Sequence, residues 1–360
     1  MLPKPHIVNL PVYQPGKPIE DVKRELGLTE VIKLASNENP FGCSPRVQAV
    51  LKEEIANISL YPDGSAVELA GALAEYHHVN SDQIIFGCGS DEIIALIARA
   101  FFLPGDESVM ADQTFSVYKS NADIEGAKSI EVPLKDGVHD LEGMLQAIGP
   151  KTKIVWICNP NNPTGTIVPD SELTSFLDRV PEQVLVVLDE AYAEYVADPT
   201  YSDGISLLEK YPNLIVLRTF SKIYGLASLR IGYGVGQPGV IKLINQVREP
   251  FNTSRFAQAA AKASLADLEF VATCKARNRE GIRYLNEQFD RLGLEYFPAH
   301  GNFIMVNVKT KATEMFQSLL RLGIIVRAGF PVYPNHIRVT VGSAEQNAKF
   351  ISALEQVLLK

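Results

Sequence analysis

Seven short, nearly unbroken apolar runs punctuate residues 83–235: QIIFG, ESVMA, KSIEVPL, KIVWIC, VLVVLDE, NLIVLRT and RIGYGV. Strands buried on both faces read this way, because neither face meets water. Between the runs the spacing turns helical: 91–102 follows the first run, and 169–177 opens on a proline with acids behind it, as a first helical turn prefers. That alternation predicts parallel strands joined by crossover helices. In open sheets of this class, ligands gather beyond the carboxyl ends of the strands, so polar residues just after the runs are the candidates for chemistry.

The ends of the chain follow other patterns. Pro18, Glu20 and Asp21 open a short helix, and Gly27 stands where a helix C-terminus favours a left-handed residue. Around REPFNTS (248–254) the rhythm changes: an Ala-rich helix and a long charged helical stretch to about Leu292 precede strands at NFIMVNV and HIRVTV and a terminal helix from about Ala344. The expected organisation is an N-terminal arm that forms part of the small domain and a substrate lid (1–29), a large α/β unit with a mostly parallel seven-stranded sheet between helices (30–248), and a smaller α/β unit (249–360).

Composition narrows the function classes. With 360 residues, 46% of them apolar and 21% charged, the chain has the makings of a large soluble enzyme. A formal net charge of −8 argues against a nucleic-acid or anionic-membrane surface, which draws its binding energy from clustered Lys and Arg. The apolar runs are too short to span a bilayer and the N-terminus lacks a signal-peptide core, so a cytoplasmic location is expected. Cys43, Cys88, Cys158 and Cys274 form no CxxC pair, and the adjacent His77 and His78 would point about 100° apart on a helix, so no metal site is expected.

Chemistry collects after the runs. GCGSDE (87–92) follows the first one and reads either as a tight turn or as a helix N-terminus able to hold a phosphate; it lacks the third glycine of a dinucleotide fingerprint. Asp189 emerges from VLVVL, where a carboxylate is either a cap or the partner that keeps a pyridine nitrogen protonated. NLIVLRT delivers Ser221 and Lys222 to the same edge; a buried lysine amine there can attack an aldehyde. Arg230 and Ser221 can grip a phosphate, and NPNNPTG (159–165) brings its amides to that edge after KIVWIC.

NPTG at 162–165, DEAY at 189–192 and SKxxxLAxxRxG from Ser221 to Gly232 resemble the fold-type I aminotransferases in content, order and spacing. YxPGK (13–17), SNENPFG (36–42), LYPDG (60–64) and REPFNTSRFAQAA are most similar to the histidinol-phosphate aminotransferases, so the resemblance spans nearly the whole chain. It implies pyridoxal 5'-phosphate as cofactor and Lys222 as the Schiff-base lysine that shuttles the α-proton. Asp189 would pair with the pyridine nitrogen, Asn162 and Tyr192 with the phenolic oxygen, and the amides of Ser90 and Asp91 with Ser221 and Arg230 would hold the phosphate. Phe115 would stack on the ring where many relatives carry tyrosine.

The resemblance further implies a homodimer in which Tyr61 reaches the neighbouring subunit's cofactor phosphate. Arg338 would hold the phosphate of histidinol phosphate or the carboxylate of 2-oxoglutarate and glutamate, with Arg327, Tyr13 and Asn39 as further substrate contacts. The implied reaction is a ping-pong transamination in histidine biosynthesis; the alternatives are an aromatic amino-acid aminotransferase, alone or as a dual activity, and a threonine-phosphate decarboxylase-like lyase.

Overall fold

The computed structural model describes residues 3–8, 10 and 17–359. Its strands, in chain order, are β1 (Ile32–Lys33), β2 (Ile84–Gly87), β3 (Glu107–Ala111), β4 (Lys128–Val132), β5 (Thr152–Cys158), β6 (Leu185–Asp189), β7 (Leu214–Thr219), β8 (Gly232–Gly236), β9 (Phe303–Asn307), β10 (Ile324–Ile325) and β11 (His336–Thr340).

The seven apolar runs become β2 to β8 and form one sheet in the order β2-β8-β7-β6-β5-β3-β4. Every pairing is parallel except those of β8, which runs antiparallel to both β2 and β7. The reason is the connection: residues 220–231 hold only a short 3₁₀ turn, so the chain folds back beside β7 instead of crossing over. Alternate residues feed two cores. Trp156, Val187 and Leu217 face the helices Ser90–Phe101, Val117–Glu125 and Pro238–Asn245 on one side; Ile157, Leu188 and Val216 face the other.

A further core gathers Phe289, Ile304, Val306, Ile337, Val339 and Phe350 around the antiparallel pair β9 and β11. Two details depart from the expected boundaries at 30 and 249. Ile32 and Leu34 belong to this core, since β1 pairs with β10. The Ala-rich helix Arg255–Leu265 packs Ala257, Ala260, Ala261 and Leu265 into the large core, its small side chains letting Pro45–Glu54 lie close. Packing changes hands only within the helix Leu268–Arg291, whose Cys274 lies in the first core and whose Leu285 and Phe289 lie in the second.

The expected N-terminal helix is Ile19–Leu26, ended by Gly27 at φ 67°, a left-handed conformation that costs glycine nothing. After it, residues 32–37 run along the second core and end on Asn37, which Thr340 and Asn302 hold by hydrogen bonds. This strap carries small-domain structure to the carboxyl edge of the large sheet.

Candidate active site

Three neighbouring strand ends are tied together at that edge. Asn159 donates its backbone N–H to the Asp189 carbonyl (2.9 Å), and Glu190 donates its own to the Leu217 carbonyl (2.9 Å). Asp189 is buried. Its Oδ2 accepts from the Tyr118 hydroxyl at 2.7 Å and its Oδ1 from the Ala191 N–H at 3.1 Å. Burial pushes its carboxyl up to about 6, against the pull of those donors.

Lys222 follows the end of β7. Its Nζ lies 3.5 Å from the Ser36 carbonyl oxygen and 5.5 Å from the centre of the Tyr192 ring. Burial lowers its ammonium to about 8; Arg338 and Arg230 add to this and Asp91 opposes it. Gly225 makes the approach of residues 36–43 feasible: it sits at φ 71°, and a Cβ there would collide with the Gly42 carbonyl.

Beside the amine lies an anion cradle. The helix Ser90–Phe101 begins at the carboxyl end of β2, so the free amides of its first turn and its positive dipole end face the strand edge. Arg230 donates from Nη1 to the Ser221 Oγ (3.2 Å) and the Ala227 carbonyl (3.2 Å), and from Nη2 to Asp91 Oδ2 (3.4 Å). Two glycines admit this packing. A Cβ on Gly89 would collide with the Arg230 guanidinium, and one on Gly232 would stand 2.5 Å from the Ser90 nitrogen.

The second core supplies the remaining cation. Arg338, 8% exposed on β11, donates from Nη1 to Asn162 Oδ1 (2.5 Å) and from Nη2 to the Ala35 carbonyl (2.6 Å), and its guanidinium lies over the Phe303 ring. Asn37 donates from Nδ2 to the Tyr192 hydroxyl at 2.9 Å, and burial raises that phenol well above its ordinary range.

A family model for class I and II aminotransferases matches residues 29–354. The histidinol-phosphate aminotransferase of Brevibacillus brevis is 56% identical over 359 residues, covering 99% of both chains. That of Halalkalibacterium halodurans is 52% identical over 356 residues, covering 99% of this chain and 96% of the relative. The chain belongs to the class I and II aminotransferases. Among solved structures, the histidinol-phosphate aminotransferase of Sinorhizobium meliloti in complex with pyridoxal-5'-phosphate superposes with a TM-score of 0.92 at 29% identity, covering 99% of this chain and 97% of the other.

Within this aminotransferase, Lys222, Asp189, Tyr192, Asn162, Ser90, Asp91, Ser221 and Arg230 lie at one edge of the large sheet, and Arg338 reaches Asn162 there from β11. Phe115 stands next to them, edge-on to Tyr118 with ring centres 5.6 Å apart. The remaining expected residues have the following surroundings. Asn39 spends its amide on the Ile223 carbonyl (2.7 Å) and the Cys274 sulfur, and accepts from the Phe41 N–H, so it braces the segment after Lys222. Arg327 pairs its backbone with that of Arg338 and lines a cleft of roughly 910 Å³ with Lys17, Pro18, Phe316, Arg321 and Ala328. Tyr61, expected to act in a neighbouring subunit, is 78% exposed on its own chain, stacks on Phe251 and accepts from Arg255 at its carbonyl. Tyr13 lies outside the described residues.

Residue patterns did not single out Tyr118 or Asn37. Tyr118 stands three residues after Phe115, a spacing that shares a helix face. Asn37 adopts φ 56°, a conformation in which Asn is enriched among non-glycine residues. Also absent from the expected site was a buried ion cluster behind it. Arg218 donates to Glu190 (2.6 and 2.9 Å) and Asp203 (2.8 Å), with Glu194 at 3.5 Å.

Proposed function

We propose that this aminotransferase binds pyridoxal 5'-phosphate and transfers the amino group of histidinol phosphate to 2-oxoglutarate, giving imidazole acetol phosphate and glutamate in histidine biosynthesis. The observation that carries the reading is one partly buried amine of lowered proton affinity, Lys222, set among a buried carboxylate and an anion cradle. The residues present suit the cofactor. Asp189 is a buried carboxylate whose oxygens accept from neutral donors, so a protonated ring nitrogen would supply the missing countercharge. The first-turn amides at Ser90 and Asp91, with Ser221 and Arg230, suit a phosphate dianion.

When bound, the cofactor supplies the electron sink for cleavage at the substrate α-carbon. The chain supplies position and proton transfer. Asn162 and Tyr192 would hold the cofactor's phenolic oxygen, and Phe115 would lie against its ring. Lys222, neutral as a free amine above pH of about 8, takes the α-proton and returns it as a general base and acid. Arg338 holds the anionic end of each substrate in turn, a phosphate ester in one half-reaction and a carboxylate in the other, which lets one site serve a ping-pong cycle.

Steady-state rates test the substrate. The expected result is a kcat/KM for histidinol phosphate above that for phenylalanine, with turnover dependent on 2-oxoglutarate and no carbon dioxide released. A strong preference for phenylalanine removes the substrate assignment, and carbon dioxide release without a keto-acid requirement makes the protein a lyase.

The working form is taken to be a cytoplasmic homodimer. Ile58, Leu60, Tyr61, Val67 and Phe251 are large apolar side chains exposed on a single chain, and Arg255 and Gln258 tie the Tyr61–Asp63 backbone to the helix Arg255–Leu265. A second copy would cover this patch and receive Tyr61 at its phosphate cradle.

A further inference from the structure

We propose that Tyr118 is a positioning residue for transamination, its hydroxyl holding the Asp189 carboxylate turned and ionised toward the cofactor's ring nitrogen. The inference rests on the reading of Asp189 as the partner of that nitrogen.

The geometry is specific. Tyr118 lies on the helix Val117–Glu125, fully buried, and donates to Asp189 Oδ2 at 2.7 Å while the Ala191 N–H occupies Oδ1 at 3.1 Å. With a donor on each oxygen, rotation of the carboxylate breaks one bond or the other. The phenol is itself immobilised. It stacks on Trp156 with ring centres 5.0 Å apart and planes 9° from parallel, and the Trp156 indole N–H donates to the Ser108 hydroxyl at 2.7 Å. Phe115, the residue that would cover the cofactor, meets the same ring edge-on, so one helix start carries both the stacking group and the donor.

Lys222, Asp91, Cys158 and Tyr192 are the other titratable groups whose charge bears on Asp189. Burial drives this carboxyl toward its neutral form, and the Tyr118 hydrogen bond is the foremost opposing influence. A neutral Asp189 would leave the ring nitrogen without its countercharge. Tyr118 keeps its own proton, since burial and the neighbouring carboxylate raise its phenol well above the ordinary value. It therefore acts as a fixed donor and takes no part in proton exchange with substrate.

The test is a double-mutant cycle of Tyr118→Phe and Asp189→Asn in the full chain saturated with pyridoxal phosphate. Cofactor lost on dilution, followed by visible absorbance from pH 5 to 9, yields the dissociation constant, and steady-state rates are taken alongside. Tyr118→Phe keeps the ring stack and removes one hydrogen bond to a charged group, so the cofactor should bind about ten- to a hundredfold more weakly near pH 7. Its loss of affinity on acidification should begin about one pH unit higher than in wild type. In the Asp189→Asn background the same change should have almost no effect.

Wild-type affinity and an unshifted profile in Tyr118→Phe, or an equal effect in both backgrounds, overturns the proposal in favour of a packing role. If Asp189→Asn alone leaves retention and turnover unchanged, the reading of Asp189 fails and takes the proposal with it. Should Tyr118→Phe not fold, a folded double variant still supports the hydrogen bond, because no carboxylate is left stranded; an unfolded double variant overturns it.

Discussion

Lys222 owes its reactivity to its surroundings. Burial, helped by the Arg338 and Arg230 guanidiniums, brings the amine down to about 8, so a usable fraction is neutral near physiological pH. Replacing it with Ala should lower transamination by at least about a thousandfold while the fold persists, measured as single-turnover conversion of histidinol phosphate. A second consequence concerns stability. The ordinary value is 10.5 and the folded one about 8, so between those limits the unfolded chain holds more protons. The cofactor-free protein should therefore gain stability as pH rises from about 8 toward 10.5, and Lys222→Met should lose that gain in urea midpoints taken across the window. Lys222 and Asp189 were legible as residues because each follows an apolar run within a spaced motif, and Arg230 because it opens the RIGYGV run within one. Tyr118 was not, since a tyrosine in a helix has no motif and its role depends on which strand end it faces.

At the scale of elements, the sheet edge is shaped by close approaches. Gly89 at φ 80° lets the Arg230 guanidinium sit against the first turn of Ser90–Phe101. Gly89→Ala should both strain that backbone and displace Arg230, weakening cofactor retention by about tenfold or more in dilution assays, with little change in secondary structure by circular dichroism. Behind the edge, Arg218 on β7 clamps Glu190 after β6, and both are buried. Arg218→Met strands the Glu190 carboxylate, so a loss of about 3–5 kcal/mol in urea unfolding is expected, with Glu190→Gln milder because the Arg218 guanidinium keeps Asp203 and Glu194 as partners. Strand positions were readable because burial on both faces leaves continuous apolar runs. The reversed direction of β8 was not, because RIGYGV has the same composition whichever way it points; the short connection after β7 decided it.

On the whole-molecule scale, the site draws Arg338 from β11 and Asn37 from the strap beneath it, so the two cores must meet before the site exists. A third contribution is expected from a second copy. Leu60→Asp should shift the protein toward monomer in sedimentation equilibrium and lower activity in parallel, since burying an aspartate in an apolar contact is unfavourable. Wild-type association in that variant would place the dimer contact elsewhere. The packing of the Ala-rich helix Arg255–Leu265 has no local signature, since such a helix looks the same in any helical layer; only its contact with Pro45–Glu54 sets it against the large core.

The sequence by itself determined the class of fold, through apolar runs that can be stable only inside a covered sheet, and the chemistry expected of the site, through motifs that resemble the aminotransferases in content, order and spacing. Tertiary structure decided what those side chains experience. The proton affinity of Lys222 and Asp189, the hydroxyl that steadies the carboxylate and the meeting of Arg338 with Asn162 arise from burial and from groups distant along the chain, and no local pattern encodes a distance between them.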